Sequence, residues 1–291
     1  MDGEHPGWLY LCATPIGNLE DITLRVLRIL REVDLIAAED TRHTRKLLSH
    51  YGIHTPLTSY HEHNRREKGE YLLGLLRSGR RVALVSDAGM PGISDPGQEL
   101  VAAALGSGAG VVPLPGASAA LTALVASGLP AERFCFEGFL PAGGRLRRQR
   151  LAELAAEART VIIYEAPHRL RQTLADLLDV LGNRSLAVAR ELTKQYEQIW
   201  RGTLDGAAAY FQEHPPRGEF TLVVAGAAES GTAGRPAENE CRPDPPLAEQ
   251  VKELESSGLS RKEAMREAAR RRGISRRDVY RAVLEEKERR E

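Results

Sequence analysis

The chain has 291 residues, of which 42% are hydrophobic and 27% charged, and its formal net charge is +0. This composition is typical of a globular protein of about two domains, and a neutral chain is not attracted to polyanions as a whole, although a local basic surface could be. The first residues contain no apolar segment and the three cysteines (Cys12, Cys135, Cys241) are far apart, so we expect a cytoplasmic protein without a membrane segment, with reduced thiols.

The first part of the chain alternates short apolar segments with helical patterns. Strands are predicted at Trp8–Ala13, Leu35–Ala38, Val82–Val85 and Gly110–Leu114. Because a helical pattern follows each of them, the sheet should be largely parallel, with all carboxyl ends at one edge. This predicts an α/β domain over residues 1–116.

The segment Ser86–Gly97 follows a predicted buried strand and is rich in glycine and aspartate. Asp95 is the predicted N-cap of the next helix and Pro96 its first residue. In an open α/β sheet, a loop at this place is where ligands usually bind. The simpler alternative is a tight strand-to-helix connection, and the segment matches neither a phosphate-binding loop nor a dinucleotide motif.

A second α/β domain with a mixed sheet is predicted over residues 117–226. Ser118 is expected to cap a helix that ends at Gly128. Two polar segments, Glu165–Arg169 and Arg190–Lys194, each follow a predicted strand. They favour a cleft shared with Asp87, although capped helix starts or solvated turns would look the same.

The C-terminal part divides into a proline-rich segment, 227–246, predicted to be a linker, and a basic helical domain, 247–291, resembling a helix-turn-helix bundle. From Arg261 to Arg281 it has nine Lys and Arg residues against three acidic residues, which is typical of a surface that binds nucleic-acid phosphates. A solvated helical face is the alternative. His61 and His63 lack a third ligand, so no metal site is expected.

Six segments occur together in the order found in one family. They are Thr14–Leu19, Ala38–Thr44, Ser59–Asn64, Ser86–Gly97, Pro115–Ala119, and Tyr164–Arg169 with Ala189–Lys194. With them the chain resembles the tetrapyrrole methylase superfamily and, within it, the methyltransferases of small-subunit ribosomal RNA. Ala166 stands where that pattern has serine.

The resemblance implies two α/β domains with S-adenosylmethionine bound in the cleft between them, and a homodimer. It implies methylation of the ribose 2′-hydroxyl of a decoding-region cytidine, in free small-subunit rRNA or in the assembled subunit. Carried over by motif, the cofactor-binding residues are Pro15, Asp87, Ala88, Gly89, Met90, Ile93, Ser118, Ala119, Tyr164, Ala189 and Phe220.

A ribose hydroxyl needs a proton acceptor to become a good nucleophile. The candidates are Glu39, Glu191 and Lys194, with His43 and His61 also open. Predicted RNA contacts are Arg42, Arg169, Arg270, Arg271, Arg272, Arg276 and Arg277. Two other functions remain open from the sequence: a small-molecule methylase of the same fold, and a DNA-binding regulator with an α/β sensor domain.

Overall fold

The computed structural model describes residues 7–227, 247–256, 259–272, 277, 279–281 and 283. Residues Met1–Pro236 form one compact unit and Ala237–Glu291 a second. The strands are β1 (Trp8–Cys12), β2 (Leu35–Ala38), β3 (Leu57–Ser59), β4 (Arg81–Val85), β5 (Gly110–Leu114), β6 (Phe134–Phe139), β7 (Thr160–Glu165), β8 (Ser185–Arg190), β9 (Gln198–Thr203) and β10 (Phe220–Val224). The α-helices are α1 (Leu24–Glu32), α2 (Thr41–His50), α3 (Arg65–Arg77), α4 (Gly97–Gly106), α5 (Ala119–Ser127), α6 (Gly144–Ala155), α7 (Leu170–Leu181), α8 (Leu204–Glu213), α9 (Leu247–Ser256) and α10 (Arg261–Arg272).

The first sheet has the order β3-β2-β4-β1-β5 and is parallel throughout. The alternation of strands and helices therefore predicted its character correctly. Its apolar side chains pack on both faces, with Val82 and Leu84 in one cluster and Ala83 and Val85 in another. Because every strand runs the same way, the segments that follow β1, β2, β3, β4 and β5 all leave from one edge.

The second sheet has the order β6-β7-β10-β8-β9 and is mixed, as predicted. Only β6 and β7 pair in parallel, and the other neighbours are antiparallel. Its near face, which carries Ile162, Ala187 and Val223, packs against α5 and against Ile16 from the first domain. The far face packs against α6, α7 and α8. The near-face cluster thus includes one residue from the loop after β1, and the predicted boundary at residue 116 stays a prediction.

The first residues of α5 and α4 test the capping residues predicted from the sequence. The Ser118 hydroxyl accepts a hydrogen bond from the Leu121 N–H, and α5 ends at Gly128, whose φ is +78°, as predicted. In α4, Pro96 occupies the cap position and the helix begins at Gly97, one residue later than predicted. Asp95 nevertheless accepts a hydrogen bond from the Gly97 N–H at 2.7 Å.

The C-terminal unit packs α9 against α10. Its apolar residues include Val251, Leu254, Met265 and Val279. The predicted linker, apart from Ala227, and much of the predicted third helix lie outside the described residues. No helix in the described part of the chain is long and apolar enough to cross a membrane.

Candidate functional site

The loops after β1 and β4 are joined at the carboxyl edge of the first sheet. Thr14 and Gly89 exchange two backbone hydrogen bonds, of 2.9 and 3.0 Å, in an isolated bridge. The Thr14 hydroxyl also donates to the Ser86 carbonyl at 3.0 Å. Gly89 has a φ of +79°, which a residue with a side chain adopts only with strain. The glycine loop is therefore held in one shape by backbone contacts.

Four carboxylates gather along this edge. The Asp87 carboxylate accepts a hydrogen bond from the Asp40 N–H at 2.9 Å, which ties the end of β4 to the end of β2. Burial, and after it the nearby carboxylates of Asp87 and Asp95, raises the pKa of Glu39. Burial also raises the pKa of Asp95. Negative charge is thus concentrated where the parallel strands end.

Two buried polar atoms at the same edge have no hydrogen-bond partner among the described residues: Nδ1 of His61 and Oδ2 of Asp95. The other Asp95 oxygen accepts hydrogen bonds from Gly92 and Gly97. Buried polar groups are nearly always paired, so unpartnered ones point to a polar ligand or water at this place.

The near face of the second sheet contributes from the other side. The Tyr164 hydroxyl accepts a hydrogen bond from the Ala120 N–H, in the first turn of α5, at 3.2 Å. Tyr164, Thr221 and Ala189 are direct partners across β7, β10 and β8, so they share one face. Burial raises the pKa of Tyr164, which therefore stays a neutral hydroxyl at physiological pH.

The side chain of Phe220 does not lie with them. It packs in the far-face cluster against Phe211, with 5.8 Å between ring centroids. Side chains alternate across a strand, so the side chain of the next residue, Thr221, is the one that shares the near face with Tyr164 and Ala189. The sequence could not show this, because Phe220 and Thr221 are equally compatible with a buried strand.

The segment after β8 contacts the first domain directly. The Thr193 hydroxyl accepts a hydrogen bond from the Asn18 N–H at 3.0 Å. A Cβ added at Gly17 would collide with Cγ of Lys194, so the two chain segments pass each other at close range. Glu191 and Thr193 both have positive φ, of 50° and 64°, which marks a strained segment held by its surroundings.

Glu191 and Lys194 form an ion pair of 3.0 Å, and Lys194 also pairs with Glu219 at 2.7 Å. Burial lowers the pKa of Lys194, but its hydrogen bonds to Glu219 and Glu191 outweigh this and the net pKa is raised. Burial raises the pKa of Glu191, yet the Glu219 N–H and Lys194 outweigh it and the net pKa is lowered. Both groups are therefore charged at neutral pH, and Lys194 offers no lone pair to a proton.

The other predicted cofactor residues lie in the same two loops and at the start of α5. Pro15 and Met90 are half-buried, Ala88 and Ile93 are exposed, and Ser118 and Ala119 begin the helix. Thr14 and Ser86, which shape the glycine loop, were not predicted as site residues. Only their long-range hydrogen bonds reveal them.

The predicted RNA-binding arginines have different surroundings. Arg42 is exposed and pairs with Asp40 at 2.7 Å. Arg169 pairs with the buried Glu165 and donates to the Leu140 carbonyl, so its guanidinium is held inside the second domain. Arg270 is exposed and pairs with Glu267, and Arg277 is exposed. The side chains of Arg271, Arg272 and Arg276 lie outside the described ones.

Comparison with known proteins identifies the family. Residues 8–208 match the tetrapyrrole (corrin/porphyrin) methylases. A ribosomal RNA small subunit methyltransferase I from Synechocystis sp. is 54% identical over 280 residues, which cover 96% of this chain and 98% of that protein. This chain belongs to the ribosomal RNA small subunit methyltransferase I family. The Bacillus subtilis member is 48% identical and aligns with 94% of this chain and 93% of its own.

Solved structures agree on the fold of this methyltransferase family. A uroporphyrin-III C-methyltransferase from Thermus thermophilus, complexed with S-adenyl homocysteine, superposes with a TM-score of 0.54 at 22% identity and covers 75% of this chain and 97% of its own. A cobalt precorrin-4 methyltransferase gives a TM-score of 0.58 at 17% identity, with 75% and 94% covered. The arrangement of two α/β domains expected from the resemblance is therefore confirmed.

Proposed function

We propose that this protein transfers a methyl group from S-adenosylmethionine to the ribose 2′-hydroxyl of a decoding-region cytidine in small-subunit ribosomal RNA. The observation that carries the proposal is full-length similarity, at 46–54% identity, to proteins named ribosomal RNA small subunit methyltransferase I. The substrate is free rRNA or the assembled small subunit. A homodimer, implied by the family resemblance, is part of the proposal and is tested by sedimentation.

The residues at the sheet edge fit the proposed cofactor. S-adenosylmethionine carries a sulfonium and an ammonium charge, and Asp87 and Asp95 supply carboxylates that complement them. The unpartnered Oδ2 of Asp95 is an acceptor available to such a group. When bound, the cofactor supplies a methyl group that is already activated. The residues proposed to hold it are Pro15, Asp87, Ala88, Gly89, Met90, Ile93, Ser118, Ala119, Tyr164, Ala189 and, in place of Phe220, Thr221.

Among the three candidate bases, Glu39 is best suited to accept the hydroxyl proton. Its raised pKa makes its carboxylate a stronger base than an ordinary glutamate, and a pKa nearer the working pH favours general-base catalysis. Glu191 is the weaker base because its pKa is lowered. We propose that Glu191 and Lys194 instead hold the strained segment after β8 against the loop after β1.

The direct test is to map 2′-O-methyl groups on small-subunit rRNA with and without this protein. We expect one additional methylated cytidine ribose in the decoding region when the protein is present. Methylation of a base, or transfer to a tetrapyrrole with none to rRNA, would contradict the proposal. Free rRNA and assembled subunits, supplied as separate substrates, show which of the two is used.

Thr221 and Phe220 provide a test of the near-face wall. Thr221→Val keeps the shape but removes a hydroxyl, and we expect S-adenosylmethionine to bind about 2- to 10-fold more weakly by calorimetry. Phe220→Leu should lower stability through far-face packing and leave that affinity unchanged. If Phe220→Leu bound the cofactor more weakly and Thr221→Val bound it with wild-type affinity, the assignment of the two residues would be reversed.

Removing residues 237–291 should weaken rRNA binding and leave cofactor affinity unchanged. The described part of this unit exposes several basic residues: Arg261, Lys262, Arg266, Arg270, Arg277 and Arg281. For every ion pair with an RNA phosphate that the truncation removes, the slope of log affinity against log salt concentration should fall by about 0.7–0.9.

A full-length chain with Arg261, Lys262 and Arg266 changed to glutamine separates charge from the presence of the unit. These three residues are exposed on α10, so the substitutions should leave the Met265 side of the helix intact. The slope should fall in this variant too. An unchanged salt slope in both variants would show that the basic helices are only a solvated face.

A further inference from the structure

Three aromatic rings form a column on the far face of the second domain. Trp200 on β9 lies 6.1 Å from Tyr210 on α8, between ring centroids, with a tilt of 33°. Tyr210 stacks on His214 at 4.1 Å and 10°. Trp200 is partly buried, whereas His214 is exposed. The column therefore starts in the core of the domain and ends at solvent with a flat ring.

The column ends in a pocket of about 290 Å³. Besides Tyr210 and His214, the pocket is lined by Arg190, Arg217, Gln198 and Glu213. Arg190 pairs across the sheet with both Gln198 and Phe220, so these three side chains share the far face. The pocket is therefore separate from the near-face wall proposed to contact the cofactor.

Two arginines place positive charge at the pocket. The Nε of Arg190 donates to the Arg217 carbonyl at 2.7 Å, which fixes the guanidinium beside the loop and leaves its terminal nitrogens available. The Arg217 side chain is exposed and has no partner in the described part of the chain. Glu213 supplies one opposing carboxylate, so the lining keeps a net positive charge.

The polar atoms of the column are also fixed. His214 Nδ1 lies 2.9 Å from the Tyr210 carbonyl, which can only accept, so Nδ1 carries the proton. Gln198 donates to the Tyr210 hydroxyl at 3.1 Å and holds that ring in place. The stacking surface is thus preorganised.

A flat exposed ring next to two guanidinium groups matches the chemistry of a nucleotide in single-stranded RNA, which proteins hold by base stacking and phosphate contacts. We propose that this pocket binds one nucleotide of the RNA substrate, with its base on His214 and its phosphate at Arg190 and Arg217. That the RNA is the substrate rests on the proposed function.

The position of the pocket suggests what this contact does. Arg190 is the last residue of β8 and directly precedes the Glu191–Lys194 segment, which contacts the loop after β1. An RNA strand anchored at the far face therefore passes next to the edge where the proposed cofactor residues lie. The pocket would thus contribute to RNA affinity and fix the position of the RNA strand, which decides which ribose is presented for methylation.

Trp200 provides a local probe, since the chain has only two tryptophans. In a Trp8→Phe background, a short single-stranded RNA should change the Trp200 fluorescence on titration. An abasic ribose-phosphate chain of equal length should bind more weakly and leave the fluorescence nearly unchanged, because it cannot stack. Equal binding and equal response to both chains would overturn the proposed stacking.

His214→Ala should weaken RNA binding by about 5- to 100-fold, the range found for loss of one base stack. His214→Phe also removes the hydrogen bond from Nδ1 to the Tyr210 carbonyl but keeps a flat ring, so its affinity for RNA should stay within about threefold of wild type. Arg217→Met should weaken the binding of both the short RNA and the abasic ribose-phosphate. It should also lower the slope of log affinity against log salt concentration by about 0.7. Arg148→Met, an exposed arginine on α6, is the matched control and should have little effect.

In the methylation assay, the pocket variants should raise KM for RNA, with kcat at saturation and S-adenosylmethionine affinity near wild type. If they titrate and turn over like Arg148→Met, the pocket proposal is wrong and the proposed function is unaffected. If the wild-type protein methylates no RNA, the proposed function fails, while the fluorescence titration still decides whether the pocket binds a nucleotide.

Discussion

Replacing Glu39 by glutamine is expected to slow methyl transfer by about 10²- to 10⁴-fold in single turnover at saturating RNA, with cofactor affinity near normal. The reason is that burial and the carboxylates of Asp87 and Asp95 raise the pKa of Glu39, which makes it a stronger base than Glu191, whereas Lys194 is already protonated at neutral pH. Only the deprotonated carboxylate can accept a proton, so the wild-type rate should rise as the pH passes upward through this pKa.

Asp40→Asn is the control, since it removes the adjacent carboxylate yet keeps an oxygen that can accept from the Arg42 N–H at the start of α2. Its rate should remain within a few-fold of wild type. Glu191→Gln should behave like this control and not like Glu39→Gln. A Glu39→Gln enzyme with the wild-type single-turnover rate would exclude Glu39 as the base.

The same substitution should not destabilise the protein at neutral pH. A carboxyl whose pKa is raised on folding binds its proton more tightly in the native state, so stability falls as the pH rises past the unfolded pKa. Glutamine cannot ionise and avoids that loss. The thermal midpoint of Glu39→Gln at neutral pH is therefore expected to equal or exceed that of wild type, which separates a catalytic defect from a folding defect.

Replacing Glu165 by alanine should cost about 3–5 kcal/mol of the free energy of unfolding, as expected when one partner of a buried ion pair is removed. The Glu165 side chain is 0% exposed and pairs with Arg169 at 3.3 Å. It also accepts a hydrogen bond from the Thr173 hydroxyl at 2.5 Å, and Thr173 in turn accepts one from Arg147. The network joins β7, α6 and α7, so its loss should appear as a lower urea midpoint.

Glu32→Ala is the surface counterpart, because the Glu32 carboxylate pairs with Arg28 at an exposed i,i+4 position. This substitution should cost less than about 1 kcal/mol. Glu165→Met combined with Arg169→Met should recover part of the loss, since no charge is then left buried alone. Equal costs for Glu165→Ala and Glu32→Ala would show that the buried network contributes little.

Most of the architecture could be predicted because it follows from local sequence patterns. Short apolar segments such as Val82–Val85, each followed by a helical period, are enough to indicate a parallel sheet and to place Asp87 at its edge. The three-residue strand β3 was not predicted, since it is too short for a periodic signal.

The details of the site depend on contacts between distant residues. Side chains alternate along a strand, so the neighbouring residues Phe220 and Thr221 face opposite sides of the sheet, and the sequence alone does not say which face each takes. The pairing of Lys194 with Glu219 raises the pKa of the lysine, and no local pattern in the sequence indicates that pairing. Arg169 is predicted to contact RNA phosphate, and its ion pair with the buried Glu165 is a further contact that the sequence does not indicate.

The strand order of the second sheet has a consequence for synthesis of the chain. The last strand in sequence, β10, occupies the middle of that sheet, between β7 and β8. While the protein is being translated, the first sheet can close as soon as β5 has emerged, whereas β7 and β8 keep unpaired edges until Phe220–Val224 is available. Unpaired edges invite wrong pairing between chains. The nascent second domain is therefore prone to aggregation until β10 has been synthesised. A polypeptide that ends before β10 keeps the unpaired edges of β7 and β8 and stays prone to aggregation.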